Sequence, residues 1–317
     1  MKQTPFETTH AREWAEFEEF LEKGKGFDAA EMPARFRRIC QHLALAQERR
    51  YSADLVDRLN RLALRGHHVL YANRRRESQQ VLEFMLVGFP RLVRHEWRLV
   101  VAAELLFFGP LLALIAILQQ FPDFAHYLLA PEQIASFHQM YDPANRRIGM
   151  READTSVYMF GFYIWNNVRI GFQTFAGGML AGVGSAWFLG ANGVIIGAVA
   201  GYLTQAGFGE TFWSFVAGHS ALELTAIVLS GAAGFRLGLA VIAPGNQSRK
   251  AALVAAARPA VRIMYGAALM FLGAAFVEAF WSPITEVSFD VKVTVGIAAW
   301  VVLLAYLLLA GRTRAAR

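Results

Sequence analysis

Between Asn166 and Gly238 the chain is apolar and dense in glycine, and few folds accept such a stretch. It opens Asn166-Asn167-Val168-Arg169 and passes through Gly177, Gly178, Gly182 and Gly184 to Asn192-Gly193. Gly193, Gly197 and Gly201 then recur at four-residue spacing. The stretch closes with Gly218-His219-Ser220-Ala221-Leu222-Glu223 and Ser230-Gly231-Ala232-Ala233-Gly234-Phe235-Arg236-Leu237-Gly238. In a soluble helix each glycine costs about 1 kcal/mol against alanine. In lipid that cost is outweighed, because every backbone group must be bonded internally and helices approach through small residues. The stretch therefore predicts closely packed membrane helices, and the polar residues set into it are candidate functional positions.

Composition agrees. With 55% hydrophobic residues and a mean hydropathy of +0.32, the chain is too apolar for an ordinary soluble protein of 317 residues. Charge is segregated, since residues 1–98 carry more than half of the Lys and Arg. The net charge of +6 thus points to cytoplasmic loops beside anionic lipid, making membrane lipids the expected partner and nucleic acid an unexpected one. Cys40 is the only cysteine, which excludes an internal disulfide and a cysteine metal cluster. Met1 to Glu22 is charged and lacks the apolar core of a cleavable signal, so the first span is expected to serve as the insertion signal.

Residues 1–98 read as a cytoplasmic helical domain able to recruit protein partners. Apolar residues fall at helical spacing in Trp14, Phe17 and Leu21, in Phe36, Ile39, Cys40 and Leu43, and in Leu55, Leu59 and Leu62. Gly24-Lys25-Gly26 breaks the first helix from the second, and Ser52 and Ser78 are N-cap candidates for a third and a fourth. Arg74-Arg75-Arg76 reads as a solvated connector, with lipid headgroups as the alternative neighbour. His67-His68 cannot share a helix face, which argues against a metal there. Phe84 to Arg98 mixes apolar residues with Arg91, Arg94 and Arg98, as expected of a helix lying along the cytoplasmic interface.

A transmembrane bundle is expected over residues 99–311. The first span is Leu99–Leu118, broken by Glu104 and by a kink at Gly109-Pro110. Residues 121–167 read as an extracytoplasmic loop with aromatic, amphipathic helices, although Arg146, Arg147 and Arg151 argue against that side. Spans at 170–189 and 194–206 follow, joined by a Gly190-Ala191-Asn192-Gly193 turn. After an outer turn at Gly207 come spans at 212–237, 263–281 and 293–309. The basic stretch Asn246–Arg262 and the tail 312–317 belong on the cytoplasmic side, and Glu286, Asp290 and Lys292 in an outer loop. The fold class is thus all-α, a polytopic bundle of about six membrane helices with both termini in the cytoplasm of a bacterial inner membrane.

The order of parts resembles the stage II sporulation protein M family of integral membrane proteins. The resemblance lies in Phe89-Pro90-Arg91 with Trp97, in Asn166-Asn167-Val168-Arg169, in Asn192-Gly193, and above all in Gly218-His219 with Glu223 followed by Gly231 to Gly238. It extends over essentially the whole chain and is strongest across 159–240. Ser220 stands where the family usually has glycine. The resemblance implies an integral membrane protein related to a component of the machinery that remodels peptidoglycan during spore engulfment. It bears on fold and location more than on mechanism, and the expected role is a non-catalytic scaffold or assembly component, with a permease or channel subunit as the alternative.

His219 and Glu223 stand four apart and so share a helix face, which continues through Ser230 and Gly234. An ionisable pair at membrane depth is by default a functional hypothesis. Three readings stand: a His–Glu hydrogen bond locking the bundle, proton or ion handling in a permease or channel subunit, and metal binding or hydrolysis. The last is the weakest, because two ligands are too few. Glu104 and Glu278 are further carboxylates inside expected spans, and Asn166, Asn167 and Asn192 complete the candidate polar core. The small residues Gly193, Gly197, Gly201, Gly231 and Gly234 are helix-packing candidates, within one protomer or across a homodimer. No phosphate-binding glycine loop and no complete catalytic set is present, so no cofactor, metal or enzymatic activity is expected.

Overall fold

The computed structural model describes residues 3–23, 26–142 and 153–312, with only the backbone described at 29, 71–78, 153 and 154. These residues are overwhelmingly helical and contain no strand. Lys25, the side chains of Arg74-Arg75-Arg76, Arg146, Arg147, Arg151, Glu152 and the tail beyond Arg312 lie outside the described residues. The chain divides into two compact units, residues 1–84 and 85–317, so the division falls earlier than the expected boundary at 98.

The first unit is built from α1 (Gln3–Lys23), α2 (Met32–Glu48) and α3 (Ala53–Glu83). Its core holds Trp14, Phe17, Ile39, Leu59 and Leu62, residues that helical periodicity singles out. Ser52 does precede α3, but its side chain makes no cap bond. Its hydroxyl accepts from Gln3 Nε2 at 2.8 Å, while its backbone N–H donates to Gln3 Oε1 at 2.9 Å. Ser78 starts no helix and lies inside α3. A polar contact lies within the core: the indole N–H of Trp14 donates to Nδ1 of buried His42 at 3.1 Å.

The second unit is a helical bundle. Among the described residues, four stretches are long and apolar enough to cross a membrane: Trp97–Gln120, Val183–Ile242, Arg249–Phe280 and Phe289–Leu309. The second is 60 residues long, about 90 Å as a straight helix and roughly three times the hydrocarbon thickness. It is folded back at Gly207, whose φ of 89° lies in the left-handed region that favours glycine. The bundle helices are α5 (Trp97–Gln120), α8 (Ala153–Ala176), α9 (Val183–Leu203), α10 (Gly209–Ile242), α11 (Arg249–Phe280) and α12 (Phe289–Leu309).

Three boundaries differ from expectation. The span placed at 170–189 is interrupted, because α8 ends at Ala176 and the chain turns through Gly177–Met179 and a left-handed Gly182. The cause is packing: Gly178 lies against the backbone of Gly234, and Gly182 against Gly238, so the chain must turn where only hydrogen atoms fit. Gly190-Ala191-Asn192-Gly193 is accordingly no turn but the middle of α9. The loop placed at 121–167 is also shorter. Residues 153–167 are helical, and α6 (Ala125–Leu128) with α7 (Pro131–Tyr141) folds onto the bundle end. There Ala125, Leu129 and Tyr141 bury against Leu118, Leu203 and Phe212. Finally, α11 begins at Arg249 behind a Ser248 cap, so the stretch 249–262 is helix rather than loop.

The segment expected along the membrane interface is docked. A π-helical turn at Phe84–Gly88 leads into α4 (Phe89–His95). Phe89 is fully buried against Gly266 of α11. Arg94 donates to the carbonyls of Leu307 and Ala310, and Arg91 to that of Gly311 at 2.6 Å. These carbonyls lie at and just beyond the C-terminus of α12, where cationic donors suit them. Glu96 is buried and lies 3.5 Å from Arg236 of α10.

The glycine row of α9 has a definite partner. A Cβ at Gly193 would come within 2.3 Å of the Phe107 carbonyl oxygen, and one at Gly197 within 2.6 Å of that of Leu111. One at Gly201 would meet Ile115 and Leu114 at about 3 Å. The row therefore holds α9 parallel to α5 inside one protomer, and it is not a free surface for a second copy.

Two expectations follow. Gly193→Ala must push two backbones apart and should lower the thermal midpoint in detergent, at a cost of about 1–3 kcal/mol. Gly190→Ala, with open space around it, should be neutral or mildly stabilising. Equal effects would contradict this packing. In the first unit, burial, with His10 adding to it, holds the His42 imidazole below its ordinary value of 6.5. Stability from a depressed folded value is full above the unfolded value and falls as pH drops below it. Full-length protein pulsed with protease after heating should therefore lose this unit at lower temperature at pH 5 than at pH 7, and His42→Gln should flatten that difference. An undiminished difference in the variant would remove His42 as its cause.

Candidate functional site

The polar residues of α10 meet a neighbour only because α10 and α11 run antiparallel. Gly218 lets the Trp281 ring lie directly on the α10 backbone, where a Cβ would be 2.2 Å from the ring. That contact brings the C-terminal turn of α11 beside His219. Gly296 packs α12 onto the Ala217 carbonyl in the same way. Three helices thus converge at the bundle end where α11 stops and α12 begins.

His219, Glu223 and Glu278 are gathered there, each offering one ligand atom, all within 4.8 Å of one another. His219 is 4% exposed. Its Nδ1 lies 3.1 Å from the Ser282 hydroxyl, and Phe215 meets its ring edge-on. Its Nε2 points at Glu223 but stops 3.7 Å from the carboxylate oxygen. That exceeds hydrogen-bond range, so the direct His–Glu bond expected from the four-residue spacing is not made. Lys292, also 4% exposed, donates to the Ser282 carbonyl at 2.8 Å, and its ammonium lies 5.9 Å from the Trp281 ring centroid.

The chemistry follows from the crowding. Two carboxylates held this close in a low-dielectric core cannot both carry uncompensated charge. Compensation must come from a proton shared among the three groups, from the nearby cation Lys292, or from a bound cation. The Ser282 hydroxyl can accept or donate, so both neutral tautomers of His219 are open to it.

Of the other sequence candidates, few join this cluster. Ser230 is fully buried but donates to the Ala226 carbonyl of its own helix at 2.8 Å. It stands about 16 Å along α10 from His219. Asn167 is buried, one turn before Gly171, which packs beside Ser230 and Phe271. Asn166 accepts from Arg169 at 3.2 Å, and that guanidinium stacks on Trp165. Asn192 donates back to the Phe188 carbonyl at 2.7 Å, a local helical bond. Glu104 is a correction, because it lies on the exposed face of α5 and is no part of the polar core. Gly231 packs against Leu189 and Gly234 against Ser185, fixing the α9–α10 contact.

Three residues of the site escape sequence reasoning: Trp281, Ser282 and Lys292. Lys292, assigned to an outer loop, lies inside α12, which begins at Phe289. The available signal was its place four residues before Gly296, on the face that meets α10.

Because the three groups lie within 4.8 Å of one another, their contributions to stability should couple. His219→Ala and Glu278→Gln are each expected to cost about 1–3 kcal/mol. The double variant should fall short of their sum by about 0.5 kcal/mol or more, measured by reversible unfolding in detergent. Strict additivity would separate the residues energetically.

Comparison with known families gives two matches. Residues 102–283 match the family described as Stage II sporulation protein M, and this segment is more than half of the chain. It holds His219, Glu223, Glu278 and Ser282 but stops short of Phe89-Pro90-Arg91 and Trp97. Residues 4–72 match a different family, described as a domain of unknown function (DUF8413). No curated protein and no solved structure matches.

Proposed function

The chain belongs to the stage II sporulation protein M family, and from that premise we propose a non-catalytic assembly component of the bacterial inner membrane. It crosses the membrane about six times with both termini in the cytoplasm, and its first unit serves to recruit partners. The process this reading assigns is envelope or peptidoglycan remodelling. The observation that carries it is the enclosure of His219, an ionisable group of the bundle, at 4% exposure. A permease must expose its site to one side or the other, whereas a scaffold needs only a firmly closed bundle. The orientation is supported by Arg91, Arg94 and Arg98 before α5 and by Arg249, Lys250, Arg258 and Arg262 at the start of α11.

A second reading is supported by the cluster itself, since three ionisable side chains at membrane depth suit a proton or cation path. Reconstituted vesicles discriminate the two. The scaffold reading expects proton and cation flux no greater than in protein-free vesicles, and flux abolished by Glu223→Gln would establish the permease instead. Orientation is read by single cysteines at the exposed Ser136 and Ser248 in a Cys40→Ser background. An impermeant thiol reagent should label position 136 in intact cells and position 248 only after permeabilisation. The reverse pattern overturns this topology.

A further inference from the structure

We infer that His219, Glu223 and Glu278 form a binding site for one divalent transition-metal ion of the zinc type. The spacing of α10 supplies two ligands, and the antiparallel packing of α11 adds the third. Their ligand atoms lie within 4.8 Å of one another, and the His219–Glu223 pair is 3.7 Å apart. Ligands at about 2.0–2.2 Å from a common tetrahedral centre stand roughly 3.3–3.6 Å apart. Side-chain rotations that close separations by at most about 1.2–1.5 Å therefore complete the geometry. The long Nε2–Oε2 separation is itself informative: two groups aimed at each other yet beyond bonding range leave room for a small shared ligand.

Orientation of the histidine fits. When Nδ1–H donates to the Ser282 hydroxyl at 3.1 Å, the Nε2 lone pair is bare and directed at the carboxylates. A hydrogen bond to the remote ring nitrogen is what metal-binding histidines ordinarily carry. Charge fits as well, since a dication is one of the ways to offset two carboxylates that a low-dielectric core cannot hold ionised together uncompensated. One imidazole with two carboxylates favours zinc-like ions over magnesium and calcium, which take oxygen donors alone.

The first unit holds a trio of the same residue types, and it fails the same tests. His10, Glu13 and His42 have ligand atoms within 4.8 Å of one another. There the Trp14 indole, which can only donate, occupies Nδ1 of His42, so the neutral ring must carry its proton on Nε2. Glu13 is already engaged by the Arg38 guanidinium. His42 therefore has no ring lone pair to offer, and this trio is the internal control.

The inference does not depend on the assembly role, since such an ion could fix a scaffold or lie on a path. The test uses full-length protein in detergent, stripped with chelator and titrated with Zn²⁺ and with Co²⁺. One ion per chain is expected, retained through gel filtration and not displaced by excess Mg²⁺. Glu278→Gln and His219→Ala should each weaken binding by at least about tenfold, while His10→Ala leaves it unchanged. Glu278→Gln preserves side-chain volume, and cooperative unfolding of the metal-free variant, at whatever midpoint, shows that it is folded when it fails to bind. The Co²⁺ spectrum of wild-type protein reads the ligand set without any substitution, and four- or five-coordinate nitrogen and oxygen bands are expected. Absence of a retained ion, displacement by Mg²⁺, a six-coordinate spectrum, or binding that follows His10 instead would each overturn the assignment.

Discussion

Backbone-to-backbone contact through glycine is the constraint on which the rest of this bundle depends. Gly178 against Gly234, Gly177 against Gly184, and Gly193 and Gly197 against the carbonyls of α5 leave no space for a side chain. Such contacts bring helices closer than ridge-and-groove packing of larger residues allows, and in lipid they replace the hydrophobic drive that water would supply. They also set helix direction and register. The pairing of 193 with 107, 197 with 111 and 201 with 115 fixes α9 parallel to α5.

The same device builds the polar cluster. Gly218 beneath Trp281 and Gly296 against Ala217 bring the end of α11 and the start of α12 onto the His219 turn of α10. Without those two approaches, Glu278 and Lys292 would stand on separate helices at unrelated heights. Close packing also encloses the site, and enclosure raises every electrostatic stake within it. A lone carboxylate there is heavily penalised, whereas one among matched partners is tolerated.

The two units follow different rules. The first is an amphipathic three-helix unit whose core mixes aromatic and aliphatic side chains and whose surface carries ion pairs such as Arg35–Glu16 at 2.9 Å. Its helices could be read from apolar spacing because water enforces one buried face per helix. The second unit is apolar on both its buried and exposed faces, so periodicity says little about which face is inside. That is why the position of Glu104 on an apolar helix suggests a core residue, whereas it lies on the exposed face.

The sequence by itself determined the membrane class, the family, the all-α fold, the reversal at Gly207 and the pairing of His219 with Glu223 on one face. These rest on composition, on glycine stereochemistry and on helical spacing, which are local properties. Tertiary structure alone decided that Gly177–Gly182, and not Gly190–Gly193, breaks the helix. Both stretches are rich in small residues, and only the partner across the contact selects between a turn and a close-packed row. Tertiary structure also decided that Glu278, Ser282 and Lys292 complete the cluster. Groups more than fifty residues apart in the chain meet only when helix direction and register are fixed, and here glycine contacts between helices fix both.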